Sequence, residues 1–293
     1  MKKTEERFDI NAVSVAGVVQ RLWGRGGDVF ARLRVSTRGK LEEDDDAFST
    51  YVNLRFPGGG VQGNPVSLSP GLPVSVRGFL TRTRYNERIL KYLDAANARD
   101  FLAGVPEEDR EAWMNIYFSR KSAMLNVTGL RLIGADTFLG DEITDVSPRN
   151  DVILEGNVAK LWEYPYDKGV HLFLRVACYD RNTRTLSTRN KFGFPVRVPH
   201  YLNVKIPDGQ VSGIPVHLSR KIRIRVTGKI AAIDASTTLR EELLDTGSEA
   251  VIALMGRLPN ADKLEAISAQ RTSLHIEAAA LIVYSAARKG LKG

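Results

Sequence analysis

The feature that most constrains this chain is an internal repeat. Residues 51–69 read YVNLRFPGGGVQGNPVSLS and residues 201–219 read YLNVKIPDGQVSGIPVHLS, which gives ten identities in nineteen positions at an offset of 150. Further matches in the same order pair Gly17 with Gly156, Trp23 with Trp162, and Gly78 with Gly228. Because repeats of this kind mark duplicated structural units, we expect two domains, at residues 1–147 and 148–293.

The repeated segments alternate apolar and polar residues, which is typical of β-strands. In the YVNLRF segment, Val52 and Leu54 share one face, while Tyr51 and Asn53 lie on the other. The apolar face predicts a core, and the polar face predicts an exposed surface. Each half contains five strand candidates, at 12–23, 28–37, 48–57, 72–84 and 122–134 in the first half and at 151–162, 169–179, 194–207, 220–233 and 271–285 in the second.

The connections between these strands predict a particular small barrel. Turn residues at 24–27 and 166–169 favour hairpins between the first two strands of each half. A helical pattern separates the fourth and fifth strands, at 98–118 and at 237–270. The predicted N-caps of the second insertion are Thr238 and Asn260. The expected fold is mainly β, with two tandem five-stranded OB-fold barrels, each with a helical insertion between strands 4 and 5.

The strand sequences resemble the bacterial single-stranded DNA-binding protein family. The resemblance is carried by VSVAGVVQRLW, VFARLRVST, STYVNLRF and VSVRGFLTRTRYNE, with a V-x-x-x-G first strand and a G-x-L-x-T-R-x-aromatic run from Gly78 to Tyr85. In the second half only Gly228-Lys229-Ile230 remains of that run. The resemblance implies single-stranded DNA as the partner.

Three features of the chain depart from the family pattern. Family members carry one fold per chain and form tetramers, so two folds per chain imply a homodimer. The usual helix after strand three is replaced by the GGGVQGNPVSLS turn. The acidic C-terminal tip that recruits partner proteins in the family is absent, since the chain ends ARKGLKG. We therefore do not expect recruitment through such a tip.

The polar strand faces carry the side chains that a single-strand binder needs. Cations follow the phosphates, and aromatic rings stack on bases, at about 1–3 kcal/mol per base. The predicted nucleic-acid contacts are Trp23, Arg32, Arg34, Tyr51, Asn53, Arg55, Arg77, Arg82, Arg84, Trp162, Tyr164, Tyr166, Phe173, Arg175, Tyr201, Asn203, Lys205, Arg223, Arg225 and Lys229.

Each of these groups also has a simpler interpretation. Basic residues on one strand can serve solubility alone, the two tryptophans can be half-buried packing, and the two asparagines can hydrogen-bond a loop. Cations interleaved with aromatics on three neighbouring strands, in both halves, favour binding.

Charge is divided unequally between the halves. The chain carries a net charge of +8, of which residues 1–150 contribute +1 and residues 151–293 contribute +7. A run of five acidic residues at 42–46 lowers the charge of the first half. It is interpreted as a solvated loop, with competition for a basic groove as the alternative and a metal site disfavoured. From charge alone, the second half should bind nucleic acid more strongly.

The remaining composition argues against other classes of protein. The single cysteine, Cys178, cannot form an internal disulfide, which favours a reducing cytoplasm. The N-terminus has no apolar segment of a signal peptide, and no apolar run reaches the ~18 residues of a membrane span. The four histidines are dispersed, and neither a zinc-site spacing nor a nucleotide or hydrolase motif is present. We expect no enzyme activity, no cofactor and no metal.

The sequence therefore predicts a non-catalytic protein that coats single-stranded DNA with little sequence preference. It would act in replication, repair, recombination or mobile-element transfer. One alternative is a structural adaptor, in which an OB-fold and the insertion helices bind protein partners. Another is an RNA-binding protein, because an OB surface does not specify the sugar.

Overall fold

The computed structural model describes most of both halves. The described residues are 8–36, 49–89, 101, 103–134, 137–143, 149–166, 169–190, 193, 195–207, 220–259 and 261–284, without the side chains of 164–166, 169, 233–236 and 270–272. Several predicted features lie outside this description, namely the acidic run 42–46, the N-cap Asn260, and the side chains of Tyr164 and Tyr166.

Long strands dominate the described residues, and the prediction of a mainly β protein is confirmed. The strands are β1 (Asn11–Arg25), β2 (Asp28–Ser36), β3 (Ser49–Phe56), β4 (Gly60–Val61), β5 (Asn64–Pro65), β6 (Pro73–Arg88), β7 (Tyr117–Leu132), β8 (Phe138–Gly140), β9 (Asn150–Tyr166), β10 (Gly169–Cys178), β11 (Thr185–Arg189), β12 (Pro195–Arg197), β13 (His200–Ile206), β14 (Arg223–Thr238) and β15 (Ser268–Tyr284). The helices that are described from end to end are α1 (Arg110–Met114), α2 (Leu239–Leu244), α3 (Glu249–Arg257) and α4 (Lys263–Ala266).

The strands of the first half close into a five-stranded barrel. The neighbours run β1-β2-β3-β7-β6, and β6 pairs again with β1. Strands β3 and β7 are parallel, whereas β1 is antiparallel to both β2 and β6. This closed barrel is consistent with an OB-fold. In the second half the order of neighbours is β9-β10-β13-β15-β14, and β14 pairs with β9.

The halves are joined through their first strands. Strands β1 and β9 pair antiparallel, with Val13 opposite Val152 and Asn11 opposite Leu154. Val152 is the repeat equivalent of Val13 at the offset of 139. A residue that faces its own equivalent across an antiparallel pair marks an approximate two-fold axis. The duplicated strands thus meet as two identical subunits would.

A side-chain clamp recurs in both halves. The Asn11 amide nitrogen donates to the Leu80 carbonyl oxygen at 2.8 Å, and its amide oxygen accepts from the Leu80 backbone nitrogen at 3.0 Å. Asn150 makes the same two bonds with Ile230, at 2.8 Å each. Each asparagine therefore extends the pairing between the first and fourth strands of its half by one more rung.

The repeated glycines occupy places where strands approach closely. A Cβ at Gly78 would lie 2.0 Å from the Asn126 carbonyl oxygen, and one at Gly228 would lie 2.1 Å from the Glu277 carbonyl oxygen. A second repeated pair is closed in by carbonyl oxygens in the same way, namely Gly17 and Gly156. These positions require glycine because no side chain fits there.

The apolar strand faces predicted from the alternating pattern form the core. Val52, Leu54 and Phe56 are fully buried, and their equivalents on β13 are buried as well. The β1–β2 hairpin is also as predicted, since Gly26 and Gly27 both have positive φ, as a type I′ turn requires.

The structure differs from the predicted strands at several places. The candidate 194–207 is divided, because Pro199 separates β12 from β13, and β12 pairs with β11 in a small sheet of its own. The turn after β3 contains the short β4–β5 hairpin. Strands β6 and β7 extend to Arg88 and from Tyr117. The described part of the helical pattern at 98–118 contains helical positions at 101 and 103, a 3-10 turn (Glu107–Asp109) and α1.

The chain forms two compact units that draw on both halves. One comprises Met1–Arg82, Ala123–Ala232 and Leu274–Gly293, and the other comprises Thr83–Ser122 and Ile233–Ser273. The domain boundary between residues 147 and 148 stays a prediction.

The second unit has its own hydrophobic core, to which each half contributes. Trp113 and Phe118 from the first half share this core with Leu243 and Leu264 from the second. The N-cap predicted at Thr238 is confirmed by a capping box with Glu241. Among the described residues, none of the helices is long and apolar enough to span a membrane.

Candidate nucleic-acid interface

The outer face of the first three strands carries a stacked aromatic pair in each half. Trp23 on β1 faces Phe30 on β2, with ring centroids 5.6 Å apart and planes 9° from parallel. Trp162 on β9 faces Phe173 on β10 at 5.5 Å and 12°. Both tryptophans are half-buried. Because Phe30 covers one face of the Trp23 indole, the opposite face is the one that a base could stack on.

The third strand of each half places a cation beside the stacked aromatic pair. Arg55 is the β3 partner of Phe30, and Lys205 is the β13 partner of Phe173. The two halves thus present the same row of tryptophan, phenylalanine and cation across three adjacent strands. In each half, we call this row and the next row along the same three strands the paired face.

The next row along each paired face is basic. In the first half Arg32 lies between Arg21 and Asn53, and in the second half Arg175 lies between Lys160 and Asn203 in the same order. The residues of the two rows are repeat equivalents, at an offset of 139 on the first strand, 143 on the second and 150 on the third.

Cations in these rows lie against aromatic rings. The Arg32 guanidinium lies 4.5 Å from the centroid of Tyr51. Arg175 and Lys160 both lie 5.6 Å from the ring of Trp162. Arg175 also donates to the Asn203 amide oxygen at 3.2 Å. Such contacts hold the guanidinium and ammonium groups at the surface while leaving donors for phosphate oxygens.

Two of the predicted cations in the first half are less available to a phosphate than the sequence suggests. Arg55 forms an ion pair with Asp28 at 2.7 Å, and Asp28 also accepts from the Gly58 backbone nitrogen. The Gly58 hydrogen bond and then the Arg55 guanidinium hold the pKa of Asp28 below its usual range. Arg34 shares the β2 face but is buried, with 8% of its surface exposed.

The candidates on the fourth strand of the second half are engaged by carboxylates. Arg223 lies 2.7 Å from Asp9 and 3.2 Å from Glu155, and Arg225 lies 3.8 Å from Glu155. Burial opposes ionisation of Glu155, but hydrogen bonds from Tyr284 and Arg223 outweigh it and lower its pKa. Lys229 pairs with Glu277 at 3.1 Å. These three cations therefore offer a bound strand less charge than the sequence suggests.

The other predicted residues lie as follows. Arg77 on β6 donates to the Glu142 carbonyl oxygen, and Arg84, further along β6, is exposed. Tyr201 on β13 is 42% exposed. Arg82 is half-buried on β6.

Three residues of the paired faces were not predicted. They are Phe30, Arg21 and Lys160. The signal for Phe30 is an offset of 143 between the second strands, which places it on Phe173. Arg21 and Lys160 follow from their register opposite Arg32 and Arg175. Within the described residues, no cluster of three or more His, Cys, Asp or Glu side chains could hold a metal ion.

The chain is similar to known proteins in structure but not in sequence. No family model and no curated protein sequence matches the chain. Wild-type single-stranded DNA-binding protein from Thermus aquaticus aligns over 96% of this chain and 95% of that chain, at 12% identity and a TM-score of 0.47. A Plasmodium falciparum single-stranded DNA-binding protein in complex with single-stranded DNA aligns over 49% of this chain and 98% of that chain, at 13% identity and a TM-score of 0.28.

Proposed function

We propose that the chain binds single-stranded DNA on its two paired faces, with little preference for sequence. The observation that carries this proposal is the recurrence of the row Trp23, Phe30, Arg55 as Trp162, Phe173, Lys205, in register across three adjacent strands. Phe173 is buried, with 8% of its surface exposed, so in the second half Trp162 and Lys205 are the members of the row that a strand can reach. Base stacking beside phosphate contacts requires an aromatic ring and a cation at neighbouring positions, and both copies provide them.

We further propose that each half is an OB-fold barrel with a helical insertion and that the two folds act in tandem. The chain is not an enzyme, it works in the cytoplasm, and two copies associate as a homodimer. It coats and protects strands exposed during replication, repair, recombination or mobile-element transfer.

The distribution of free and paired cations supports a binding mode centred on the second and third strands. Lys205 makes no ion pair with a described residue, while the fourth-strand cations of the same half are held by Glu155 and Glu277. Phosphates should therefore follow Arg32 and Arg175 and their neighbours on the paired faces.

Intrinsic tryptophan fluorescence tests the proposal directly. The chain has three tryptophans, and Trp113 is fully buried in the core of the second unit, where a bound strand cannot reach its indole. Titration with oligo-dT should quench Trp23 and Trp162 and leave a constant signal from Trp113. Oligo-rU and duplex DNA, each at two salt concentrations, serve as competing ligands.

The variants Trp23→Phe and Trp162→Phe assign the quenching to each half. Each should remove part of the oligo-dT response while retaining the rest, and binding should weaken steeply with salt. Absence of binding to all three nucleic acids would refute the proposal and favour the adaptor. Tighter binding to oligo-rU than to oligo-dT would favour an RNA partner.

A further inference from the structure

The unequal charge of the two halves arises in one connection, between the second and third strands. In the first half, residues 37–48 carry two cations and five anions, a net charge of −3. In the second half, residues 179–199 carry five cations and one anion, a net charge of +4. The two connections thus differ by seven charges, whereas the halves as a whole differ by six, +7 against +1.

Four arginines of the second connection lie in and beside the β11–β12 hairpin. We call them the arginine cluster, and they are Arg181, Arg184, Arg189 and Arg197. The first three are exposed, and Arg197 is half-buried. Arg189 donates to the Gly193 carbonyl oxygen at 2.7 Å. Among the described residues, none forms an ion pair with any of the three exposed arginines, so their charges are available to an anion from solution.

A phenylalanine from the first half brings two of these arginines together. The guanidinium carbons of Arg197 and Arg181 lie 4.8 Å and 5.8 Å from the centroid of the Phe8 ring. Arg197 also donates to the Asp180 carbonyl oxygen at 2.6 Å. A ring attracts a guanidinium group without neutralising it, so two positive charges are held beside each other at this surface.

Hydrogen bonds fix the segment that carries Phe8. The Asp9 backbone nitrogen donates to the Tyr179 carbonyl oxygen at 3.1 Å, and the Tyr179 backbone nitrogen donates to the Asp9 carboxylate at 2.8 Å. Arg223 pairs with the same carboxylate at 2.7 Å. The N-terminal segment of the first half is thereby fastened beside the end of β10, where the arginine cluster begins.

The arginine cluster lies at one end of the paired face of the second half. Tyr201 follows the basic row on the same face of β13, since alternate residues share a face, and it is 42% exposed. Strand β10 ends at Cys178, and β13 begins at His200. Arg181 and Arg197 are each three residues from these strand ends. The order along the face is therefore the aromatic row, the basic row, Tyr201 and then the cluster.

We propose that the arginine cluster binds phosphates of the same single strand that lies on the paired face, and that Phe8 is a positioning residue for it. This inference rests on the proposed function. At the equivalent end of the first half, the net negative charge of residues 37–48 repels phosphates. The bound strand therefore takes an asymmetric path, on which the second half holds more of its backbone than the first.

The variant Arg184→Gln/Arg189→Gln tests the cluster, because it removes two exposed charges and leaves the contacts with Phe8 in place. The slope of log affinity for oligo-dT against log salt should become shallower by about 1.4, which corresponds to two phosphate contacts with a single strand. The affinity should consequently fall about 25-fold at about 0.1 M salt and approach that of the wild type at about 1 M. Quenching of Trp162 at saturation should not change, since the paired face is intact.

Lys121→Gln/Lys263→Gln is the matched control, because it removes the same charge from two exposed lysines of the second unit. Its slope should equal that of the wild type. Equal slopes for the two double variants, in a wild type that binds oligo-dT, would overturn the inference and leave the proposed function intact. A wild type that binds no oligo-dT would instead refute the proposed function.

Substitutions at Phe8 test its positioning role. Phe8→Leu keeps an apolar side chain but removes the ring, and the affinity for oligo-dT should fall about two- to fivefold, as expected for an exposed cation–π contact. Phe8→Tyr keeps the ring and should retain the affinity of the wild type. If Phe8→Leu lowered the urea midpoint but left the affinity of the folded protein unchanged, Phe8 would be structural only and its positioning role would be overturned.

Poly-glutamate distinguishes a nucleic-acid strand from an acidic protein segment as the occupant of the cluster. At matched salt and equal ligand charge, the wild type should bind oligo-dT more tightly than poly-glutamate. Tighter binding of poly-glutamate that is lost in Arg184→Gln/Arg189→Gln would assign the cluster to an acidic protein partner and overturn the inference.

Discussion

The asparagine clamps at Asn11 and Asn150 should each stabilise the folded protein. In Asn150→Ala two hydrogen bonds to the Ile230 backbone are lost, at 2.8 Å each. At about 0.5–1.5 kcal/mol net per bond, the variant should lose about 1–3 kcal/mol of unfolding free energy. Asn11→Ala removes the equivalent bonds to Leu80 and also a 2.8 Å bond to the Asp180 carboxylate. Because that partner is charged, Asn11→Ala should cost about 1.5 kcal/mol more than Asn150→Ala.

Urea unfolding followed by far-ultraviolet circular dichroism measures both losses. Asn157→Ala is the matched control, because Asn157 is also a half-buried asparagine on β9 but makes no side-chain hydrogen bond with a described residue. Its free energy of unfolding should change by less than about 0.5 kcal/mol. Equal midpoints for Asn150→Ala and Asn157→Ala would show that these clamps do not stabilise the pairing of the first and fourth strands.

Further predictions concern the turn, the buried carboxylate and the cations. Lys221 has a φ of 74°, and its repeat equivalent Gly71 has a φ of 87°. Because glycine adopts positive φ without strain, Lys221→Gly should raise the unfolding free energy by about 0.5–1 kcal/mol in urea. A lower unfolding free energy would contradict this. The folded-state pKa of Glu155 is lowered, so its contribution is present above the ordinary carboxyl pKa and is lost as pH falls through the folded value. Glu155→Gln should therefore show a weaker loss of stability between neutral and acidic pH than the wild type, and identical pH profiles would disprove the assignment. Lys205→Ala should weaken oligo-dT binding more than Lys229→Ala, since Glu277 already holds Lys229; the reverse order would place the strand on β14.

The sequence predicts features that depend on neighbours along the chain or on the repeat. Alternation in YVNLRF identifies the buried face of Val52 and Leu54, and the repeated Gly78 and Gly228 mark two close strand contacts. The division of 194–207 was missed because the effect of Pro199 depends on which strand each side pairs with.

Other features could not be predicted because they join residues far apart in the chain. Trp113 and Leu243 share a core only because the two halves assemble. The same is true of the contact between the rings of Phe79 and His200. The neutralisation of Arg223 by Asp9 depends on the same assembly. Residue type identified the cations of the interface, but only the structure separates paired cations from those that remain available.

The salt dependence of binding tests whether equivalent faces of both halves hold one strand. Arg32 and Arg175 occupy the same position in the two basic rows. We expect Arg32→Ala and Arg175→Ala each to reduce the slope of log affinity against log salt by about 0.7, and the double variant to reduce it by about 1.4. Slopes equal to that of the wild type in all three variants would contradict the account, because the bound strand would then lie elsewhere on the molecule.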